Sequence, residues 1–513
     1  MLAHVMSGAV YGIESYLVRV ECTISTGVVK YFVVGLPDSA VKESAHRVTG
    51  AIRNSGYDVP GFVYTINLSP ADRRKEGSSF DLPIALAMLG ATKRIRPKDH
   101  VRLMIVGELT LDGTVGPIHG ALPLAVEARK RKLDGIVLPV QNAPEASVVK
   151  GLCIYPVTKL EQAIELLEQP REDRTAYVHV PAPAEIPGDL TGDDLEDVRG
   201  QATAKRAMEV AAAGGHNIIL VGPPGSGKTM LAKRIAGILP PLSFSEALET
   251  TTIHSVAGIL SQDSGLVRDR PFRSPHHTIS DSALVGGGSI PRPGEISMAH
   301  HGVLFLDELP EFARNVLEVL RQPLEEGRVT ISRSKMTLDF PSSFMLVCAM
   351  NPCPCGHYGD PKHECVCTPI QRQKYLARIS GPLLDRIDLH VEVPAVPYEE
   401  LASKQREEGS GTIRSRVLRA RNVQHDRYKG LRGKFTNAHL DSKQIRKYCG
   451  LDEAGSKLLR DALDSLGFSA RAYDRILKVS RTIADLAESS NIRPEHLSEA
   501  IQYRTLDRRK EIY

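Results

Sequence analysis

The pattern of apolar and polar positions in the first third of the chain switches repeatedly between short β-rich stretches and helical periods. The pattern predicts strands at YLVRVECTIS, VKYFVVGL, FVYTINLS, RLMIVGEL and GIVLPV, with helices at SAVKESAHRVTGAIRNSG and FDLPIALAMLGATK between them. Strands that alternate with helices in this way predict an α/β or α+β domain over residues 1–170. Residues 171–192 are rich in proline and charge, and we predict that they form a linker.

Short, mostly apolar runs characterise the middle of the chain, residues 193–395. They are IILV, VLFL, FMLVCAM and LHVEV, and each is typical of a parallel strand that is buried on both faces. Residues 396–513 are predicted to be helical and basic, as in SRVLRARNVQHDRYKG. The chain is therefore predicted to be a multi-domain α/β protein with a parallel sheet in the middle and a helical domain at the end.

Composition narrows the class of protein. The 513 residues include 42% hydrophobic and 25% charged residues, as in ordinary globular proteins. No apolar run is long enough to span a membrane, and the first residues lack the pattern of a signal peptide. Cysteines are few, which favours a reducing cytoplasm. The net charge of +4 is too small to indicate nucleic acid without local clustering.

A phosphate-binding motif, GPPGSGKT, lies between a predicted strand and a predicted helix. Its residues are Gly222, Pro223, Pro224, Gly225, Ser226, Gly227, Lys228 and Thr229. Glycines allow backbone N–H groups to surround a polyphosphate, Lys228 brings a positive charge to it, and the Thr229 hydroxyl is suited to Mg²⁺. The motif predicts ATP and Mg²⁺ as ligands.

Polar residues end the next two predicted strands. In VLFLDE, Asp307 is expected to hold Mg²⁺ and Glu308 to polarise the attacking water. We expect both carboxylates to be buried, which is costly unless a metal or substrate uses them. Asn351 ends FMLVCAM, and because ligands bind at the carboxyl ends of parallel strands, it should lie beside Asp307 and reach the γ-phosphate or the water.

Two arginines are candidates for contacts between subunits. Arg386, in SGPLLDRIDLHVEVP, is placed to reach the γ-phosphate of a neighbouring subunit. The alternative is an ion pair with Asp385 or Asp388. Arg471, in FSARAYDRIL, opens a predicted helix of the last domain and is a candidate second sensor of nucleotide.

These motifs resemble the AAA+ ATPases of the magnesium-chelatase-like branch and, over essentially all 513 residues, the YifB/ComM family. The resemblance rests on VGLPDSAVKES, SPADRRKEGSSFDLPIALAML, GELTLDGTVGPIHGALP, GPPGSGKT, RPFRSPHHTISDSALVGGG, GVLFLDELPEF, AMNPCPCG and SGPLLDRIDLHVEVP. It implies a Lon-protease-like α/β domain of the S5 type at 1–170, an AAA+ domain at 193–395 and a helical lid at 396–513. It also implies a ring, usually hexameric, that hydrolyses ATP between subunits. For ComM-type members it implies branch migration of DNA in natural transformation.

The Lon-like domain is predicted to lack peptidase activity. Ser79 falls where the Lon nucleophile would lie, but a serine nucleophile needs an adjacent base. Leu122 occupies the position of the Lon lysine, and His119 is a conceivable substitute base. We expect the domain to bind a protein partner or to stabilise the ring instead.

A predicted hairpin, RVTIS–RSK–MTLDF, is the candidate DNA contact. In the related helicases such hairpins line the pore, so Arg333 and Lys335 would face phosphates without reading sequence. A basic loop resembles a second insertion of this branch, with Arg268, Arg270, Arg273, His276 and His277. The alternative is a solvated, regulatory hairpin. Branched or single-stranded DNA is the expected partner; the rival hypotheses are a chelatase-like motor that remodels a protein, and an ATP-gated binding module.

Four cysteines, Cys353, Cys355, Cys365 and Cys367, form two C-x-C pairs directly after Asn351. Four thiolates can hold a structural Zn²⁺, and His357 or His363 could replace a sulfur. C-x-C is tighter than the usual C-x₂-C spacing, so free thiols and a regulatory disulfide remain alternatives.

Overall fold

A computed structural model describes residues 2–179, 193–260, 265–288, 291–333, 336–360, 363–402, 406–431, 436–466 and 469–504. The chain forms two compact units. Unit 1 comprises the described residues of Met1–Ile186 together with Phe244–Val267, and unit 2 comprises those of Pro187–Ser243 and Arg268–Tyr513. The predicted ATPase and lid domains thus lie largely together in unit 2.

The strands are β1 (Leu2–Tyr11), β2 (Glu14–Thr26), β3 (Lys30–Val34), β4 (Phe62–Ser69), β5 (Leu103–Ile105), β6 (Glu108–Leu109), β7 (Val115–Gly116), β8 (Gly135–Pro139), β9 (Cys153–Val157), β10 (Ile218–Val221), β11 (Phe272–Arg273), β12 (Gly286–Gly287), β13 (Arg292–Pro293), β14 (Val303–Leu306), β15 (Arg328–Arg333), β16 (Met336–Pro341), β17 (Met345–Met350) and β18 (Leu389–Glu392).

The helices are α1 (Ser39–Asn54), α2 (Asp81–Ala91), α3 (Ala121–Lys130), α4 (Ala143–Ala146), α5 (Leu160–Glu168), α6 (Ala202–Gly214), α7 (Lys228–Ile238), α8 (Phe244–Ala257), α9 (Asp281–Val285), α10 (Glu295–Met298), α11 (Arg314–Glu318), α12 (Arg321–Glu326), α13 (Pro369–Leu376), α14 (Gly381–Leu384), α15 (Tyr398–Leu401), α16 (Ser410–Arg427), α17 (Ser442–Tyr448), α18 (Glu453–Leu466), α19 (Ala470–Leu486) and α20 (Pro494–Gln502). Among these helices, none combines the length and hydropathy that a membrane crossing requires.

Unit 1 is built on a seven-stranded mixed sheet in the order β3-β4-β2-β1-β5-β8-β9. The pairs β1–β2 and β2–β4 are antiparallel, whereas the remaining neighbours are parallel. In β2, Val18 and Val20 are fully buried while Arg19 and Thr23 between and beyond them are exposed, which explains the alternating sequence. Helix α2 is buried almost throughout and packs on β1 and β2, so its sequence is apolar on every side.

The predicted linker begins later than residue 171. Arg171–Tyr177 forms a 3₁₀ helix, and Arg174 within it is only 2% exposed. Its guanidinium donates to the carbonyls of Leu166 at 3.2 Å and Gln169 at 3.1 Å, which ties this turn to unit 1. Residues 180–192 lie outside the described part of the chain.

A segment of the predicted ATPase domain, Phe244–Val267, packs within unit 1. Helix α8 contacts α3, and the backbone N–H of Gly120 donates to the Ser255 carbonyl at 3.1 Å. The Ser255 hydroxyl donates at 2.6 Å to the carboxylate of Glu145, whose pKa is raised by burial. Nothing in the sequence pattern around α8 predicts this association, because it depends on contacts with residues more than a hundred positions away.

Unit 2 contains a five-stranded sheet in the order β11-β14-β17-β10-β18, and every neighbouring pair is parallel. All residues of β10, β14 and β17 are buried, as their apolar runs predict. The α/β fold with a parallel sheet and a helical C-terminal region is thereby confirmed. The lid shares this core, since Val417 of α16 and Ile476 of α19 belong to the same apolar cluster as Ile218 of β10.

Asp388 joins the sheet to the lid through a buried polar network. Its carboxylate accepts from the ring of His216 at 3.3 Å and from the backbone N–H of Asn217 at 3.2 Å. It also forms an ion pair with Arg475 of α19. Asp388 is 3% exposed, and the Arg475 and His216 contacts hold the pKa of its carboxyl well below the ordinary range despite burial.

Candidate ATP site

The loop Gly222–Gly227 joins the carboxyl end of β10 to the first residue of α7. Gly225 and Gly227 have φ angles of +73° and +90°, a left-handed conformation that favours glycine. At Gly222, a Cβ atom would lie 2.0 Å from the carbonyl oxygen of Val393, so no larger residue fits. These constraints explain why the motif needs glycine at these three positions.

Lys228 is held by acceptors at the carboxyl edge of the sheet. Its Nζ donates to the carbonyls of Gly222 and Pro223 at 2.8 Å each and to Oδ1 of Asn351 at 3.2 Å. Lys228 is 8% exposed. Burial lowers the pKa of its ammonium, while the nearby Asp307 and Glu308 raise it. The side chain is therefore positioned for an anion before any ligand arrives.

Thr229 and Asp307 come together from two different elements. The Thr229 hydroxyl donates to Oδ2 of Asp307 at 2.7 Å, although 78 positions separate the two residues. Asp307 directly follows β14, and β17 lies between β14 and β10, so the topology brings both groups to one edge. A hydroxyl and a carboxylate are the hard oxygen ligands that Mg²⁺ prefers, so these residues fit that ion.

Glu308 differs from the expectation of a buried carboxylate. Its side chain is 58% exposed and Asp307 is half-buried, so the prediction that both carboxylates are buried was wrong. Its backbone has a φ of +52°, which is strained for a residue with a side chain, and such strain is found preferentially at functional sites. Oε2 of Glu308 lies 3.4 Å from Nδ1 of His277, a contact that the sequence did not predict.

Asn351 follows β17, the strand that separates β14 from β10. Its amide oxygen accepts from Lys228, as given above, so the residue lies at the edge where Asp307 and the phosphate-binding loop meet. Tyr375 packs nearby, and burial raises the pKa of its phenol to about 12.

Arg386 lies at the amino ends of the parallel strands, opposite the carboxyl ends that carry Lys228, Asp307 and Asn351. β18 runs parallel to β10, with Leu389 opposite Ile218, and Arg386 precedes β18. The length of a four-residue strand, about 13 Å, thus separates Arg386 from the phosphate-binding loop. Its guanidinium forms an ion pair with Glu325 and donates to the Pro382 carbonyl at 2.5 Å.

The predicted alternative partners of Arg386 have other contacts. Asp388 pairs with Arg475 and His216, whereas Asp385 pairs with Arg471 at 3.1 Å. The side chain of Arg471 is 64% exposed. Through Asp385, the two candidate arginines therefore lie near each other at the amino edge of the sheet.

The four cysteines of the C-x-C pairs converge. Sγ of Cys353 lies 3.3 Å from that of Cys355 and 3.7 Å from that of Cys365, and the last two sulfurs are 3.6 Å apart. Cys367 completes a group whose ligand atoms all lie within 4.8 Å of one another. A tetrahedral Zn²⁺ with Zn–S bonds of about 2.3 Å spaces its sulfurs about 3.8 Å apart, so the group fits this ion.

The thiols are free, and their surroundings differ. A hydrogen bond from the backbone N–H of His357 lowers the pKa of Cys355 to about 6, whereas burial raises that of Cys353 to about 12. His357 and His363 do not join the cysteine group; their Nδ1 atoms contact Asp360 at 3.3 and 3.1 Å.

The cysteine loop touches the phosphate-binding loop. Gly356, between the two C-x-C pairs, has a φ of +86°, and a Cβ atom there would lie 2.5 Å from Cδ of Pro224. Pro224 is the third residue of the phosphate-binding motif. Sequence spacing gave no indication that these two loops are in direct contact.

Comparison with known proteins agrees with this geometry. Three family models match the chain. The model described as magnesium chelatase, subunit ChlI, matches residues 194–401, and the model described as subunit ChlI of Mg-chelatase matches residues 20–142. The model of the C-terminal region of magnesium chelatase subunit ChlI matches residues 407–504. The competence protein ComM of Haemophilus influenzae is 44% identical over 509 residues, which cover 99% of this chain and 98% of ComM. The uncharacterized protein YifB of Salmonella typhimurium is 43% identical over 512 residues, with the same coverage.

The chain belongs to the YifB/ComM family. Its magnesium-chelatase-like AAA+ core implies ATP and Mg²⁺ as ligands, in agreement with Lys228, Thr229 and Asp307 at one edge of the sheet. A Lon-like region is also supported, because Lon protease 2 of Bacillus subtilis is 26% identical over 196 residues, 36% of this chain and 34% of Lon.

In this YifB/ComM member, the position of the Lon base is apolar and buried. Leu122 has no exposed surface, and the backbone carbonyl of Ser79 accepts from the N–H of Gly107 at 2.9 Å. Lys75, four residues before Ser79, is buried, and its amine donates to the carbonyls of Pro70 and Arg73. The absence of peptidase activity remains a prediction. It is supported by the Lys75 amine, which is already hydrogen-bonded to two backbone carbonyls.

The predicted hairpin is present as the antiparallel pair β15–β16, with Arg333 opposite Met336. Lys335 lies outside the described residues, and only the backbone of Arg333 is described. In the basic loop, Arg273 forms a bidentate ion pair with Glu295 at 2.6 and 2.7 Å. Arg270 donates to the Pro240 carbonyl at 2.6 Å, so these two arginines have structural partners within unit 2.

Proposed function

We propose that this protein is an ATP-hydrolysing ring motor that acts on DNA, as a branch-migration helicase or translocase. The observation that carries the proposal is the position of the β15–β16 hairpin in the chain, between the two strands that Asp307 and Asn351 directly follow. A change at either strand end on ATP turnover would move the hairpin. The 44% identity with a competence protein favours DNA as the polymer that is moved.

The residues at the carboxyl ends of the strands have separate roles in the proposed hydrolysis of ATP. Lys228 binds and orients the phosphates, and Thr229 with Asp307 would hold Mg²⁺. ATP, when bound, supplies the free energy of phosphoryl transfer. Glu308 is exposed toward solvent and accepts the proton of the attacking water, while His277 beside it orients its carboxylate.

In the proposed ring, a neighbouring subunit supplies Arg386 to the ATP site. Arg386 lies at the amino ends of the strands and is too far from the phosphate-binding loop of its own subunit to contact the γ-phosphate there. A role in hydrolysis therefore requires that it reach the nucleotide of a neighbouring subunit. Its ion pair with Glu325 would then break on assembly. Arg386→Ala should bind ATP and lose hydrolysis, and Glu325→Ala is the matched control, because it removes the same ion pair but leaves the guanidinium. Equal loss of activity in both variants would show that the ion pair is structural.

Zn²⁺ at Cys353, Cys355, Cys365 and Cys367 would hold the loop that packs on Pro224. Protein purified without added zinc should contain about one Zn²⁺ per chain. Replacing the four cysteines with serine should abolish it. Four thiols that titrate freely, with no metal, would contradict the proposal.

The hairpin is the proposed DNA contact, and its test uses branched DNA. Arg333→Ala combined with Lys335→Ala should weaken DNA binding about equally for all sequences and prevent unwinding. Arg328→Ala, at the base of the same hairpin, should unwind like the unmodified protein, since Arg328 pairs with Glu326. Normal unwinding by the double variant would exclude the hairpin as the DNA contact that unwinding requires.

A second candidate function is a chelatase-like motor that remodels a protein. It is favoured by the three magnesium chelatase models, which together match most of the chain. ATP hydrolysis that responds to a protein partner, and not to single-stranded, duplex or branched DNA, would favour this function over the first.

A further inference from the structure

Unit 1 carries a basic cleft to which the proposed functions assign no role. Its volume is about 680 Å³, and it lies at the amino ends of β5, β8 and β9. The cations that line it, here called the basic cleft residues, are Arg102, Arg129, Lys130, Lys132 and Arg171. Asp134 is the acidic residue among the described residues that line the cleft. The local excess of positive charge equals the net +4 of the whole chain.

The cleft has a built geometry. Asp134, whose side chain is 14% exposed, binds Nη2 of Arg102 at 2.9 Å and Nη2 of Arg171 at 3.1 Å through one carboxylate oxygen. This shared contact fixes two guanidinium groups side by side. Each is more than half exposed, so each keeps donors that face solvent.

Arg129 is placed by a glycine. Gly151 has a φ of +77°, and a Cβ atom there would lie 2.9 Å from Nη2 of Arg129. The guanidinium therefore lies directly against the glycine backbone. Arg129, Lys130 and Lys132 are all exposed, and the described residues provide no ion pair for any of the three. Three like charges that lie close together and have no ion-pair partner among the described residues favour a polyanionic ligand.

We infer that the basic cleft residues bind the phosphodiester backbone of DNA, which gives unit 1 a DNA contact separate from the hairpin of unit 2. Arginine forks match phosphate oxygens, and the described residues that line the cleft include no aromatic side chain on which a base could stack. Contact would therefore be with phosphates alone and independent of sequence. The inference rests on the proposed action on DNA and assigns a role in it to the Lon-like domain. The cleft is at the opposite strand ends from Gly107 and the Ser79 loop, so it is separate from the position that resembles the Lon nucleophile.

The test compares two triple variants of the full chain. Arg129→Ala, Lys130→Ala and Lys132→Ala remove one arginine and two lysines from the cleft. Lys30→Ala, Lys42→Ala and Arg53→Ala remove the same types and number of exposed cations elsewhere on unit 1. Binding of a labelled duplex and a single strand is measured over a range of salt concentrations.

The slope of log K against log salt decides the outcome. Loss of three phosphate contacts should reduce its magnitude by about 2 for a single strand and about 3 for a duplex, whereas the control should keep the original slope. A cleft variant with the slope of the control would overturn the inference, and so would equal loss in both variants. If the unmodified protein binds no DNA, the proposed function itself fails. If polyglutamate binds to the cleft and DNA does not, the ligand is an acidic protein segment and the inference is wrong.

Discussion

Gly356→Ala tests the contact between the cysteine loop and the phosphate-binding loop. The added methyl carbon would lie 2.5 Å from Cδ and 2.7 Å from Cγ of Pro224. Ordinary carbon contacts are about 3.5–4.0 Å, so one of the two loops must move by roughly 1 Å. Overpacking of this kind costs about 1–3 kcal/mol. If the cost falls on the conformation that binds nucleotide, the dissociation constant for ATP rises about 5- to 150-fold.

Gly359→Ala is the matched control for this variant. Gly359 is in the same loop and has a φ of +81°, but among the described residues, its two chain neighbours aside, no atom lies within 4 Å of the Cβ that would be added. Both variants therefore carry the left-handed strain of about 1–2 kcal/mol, and only Gly356→Ala presses on Pro224. Titration with a fluorescent ATP analogue, with thermal unfolding in parallel, separates affinity from stability. Equal affinities for the two variants would refute the reasoning.

Three further predictions concern the site and its support. Lys228→Ala should lose ATP binding, whereas Glu308→Gln should keep binding and lose about 10²- to 10⁴-fold in hydrolysis rate, as measured by phosphate release; unchanged turnover in Glu308→Gln would remove its assignment. Rings that mix Arg386→Ala with Lys228→Ala subunits should recover part of the activity, and intact mixed rings without recovery would contradict action between subunits. Asp388→Ala should cost about 3–5 kcal/mol of unfolding free energy because it leaves the buried His216 and the half-buried Arg475 without their carboxylate, whereas Asp385→Ala, which removes an exposed ion pair, should cost less than about 1 kcal/mol. The chain has no tryptophan, so urea unfolding would be followed by circular dichroism.

Features that depend on local sequence were predictable. The strands β10, β14 and β17 are buried on both faces, and their apolar runs follow from that burial. The conformation of the phosphate-binding loop follows from glycines that must be left-handed or close to another chain segment. The hairpin followed from two β-rich runs around a short polar tip.

Features that depend on contacts between distant loops were not predictable. The His277–Glu308, Glu325–Arg386 and Gly356–Pro224 contacts join residues that share no periodic pattern. Strand β11 is only two residues long, so it carries too little pattern to be recognised. Helix α8 follows α7, which begins at Lys228, but hydrogen bonds to Gly120 and Glu145 associate α8 with unit 1.

The rate of ATP hydrolysis with and without DNA tests the central claim most directly. The purified protein would be assayed alone and with single-stranded, duplex and branched DNA, beside Glu308→Gln as the background. We predict measurable hydrolysis that DNA increases and that falls to background in Glu308→Gln, because the assembled site drives a hairpin that contacts DNA. Hydrolysis that no DNA alters, or that survives in Glu308→Gln, would contradict the account.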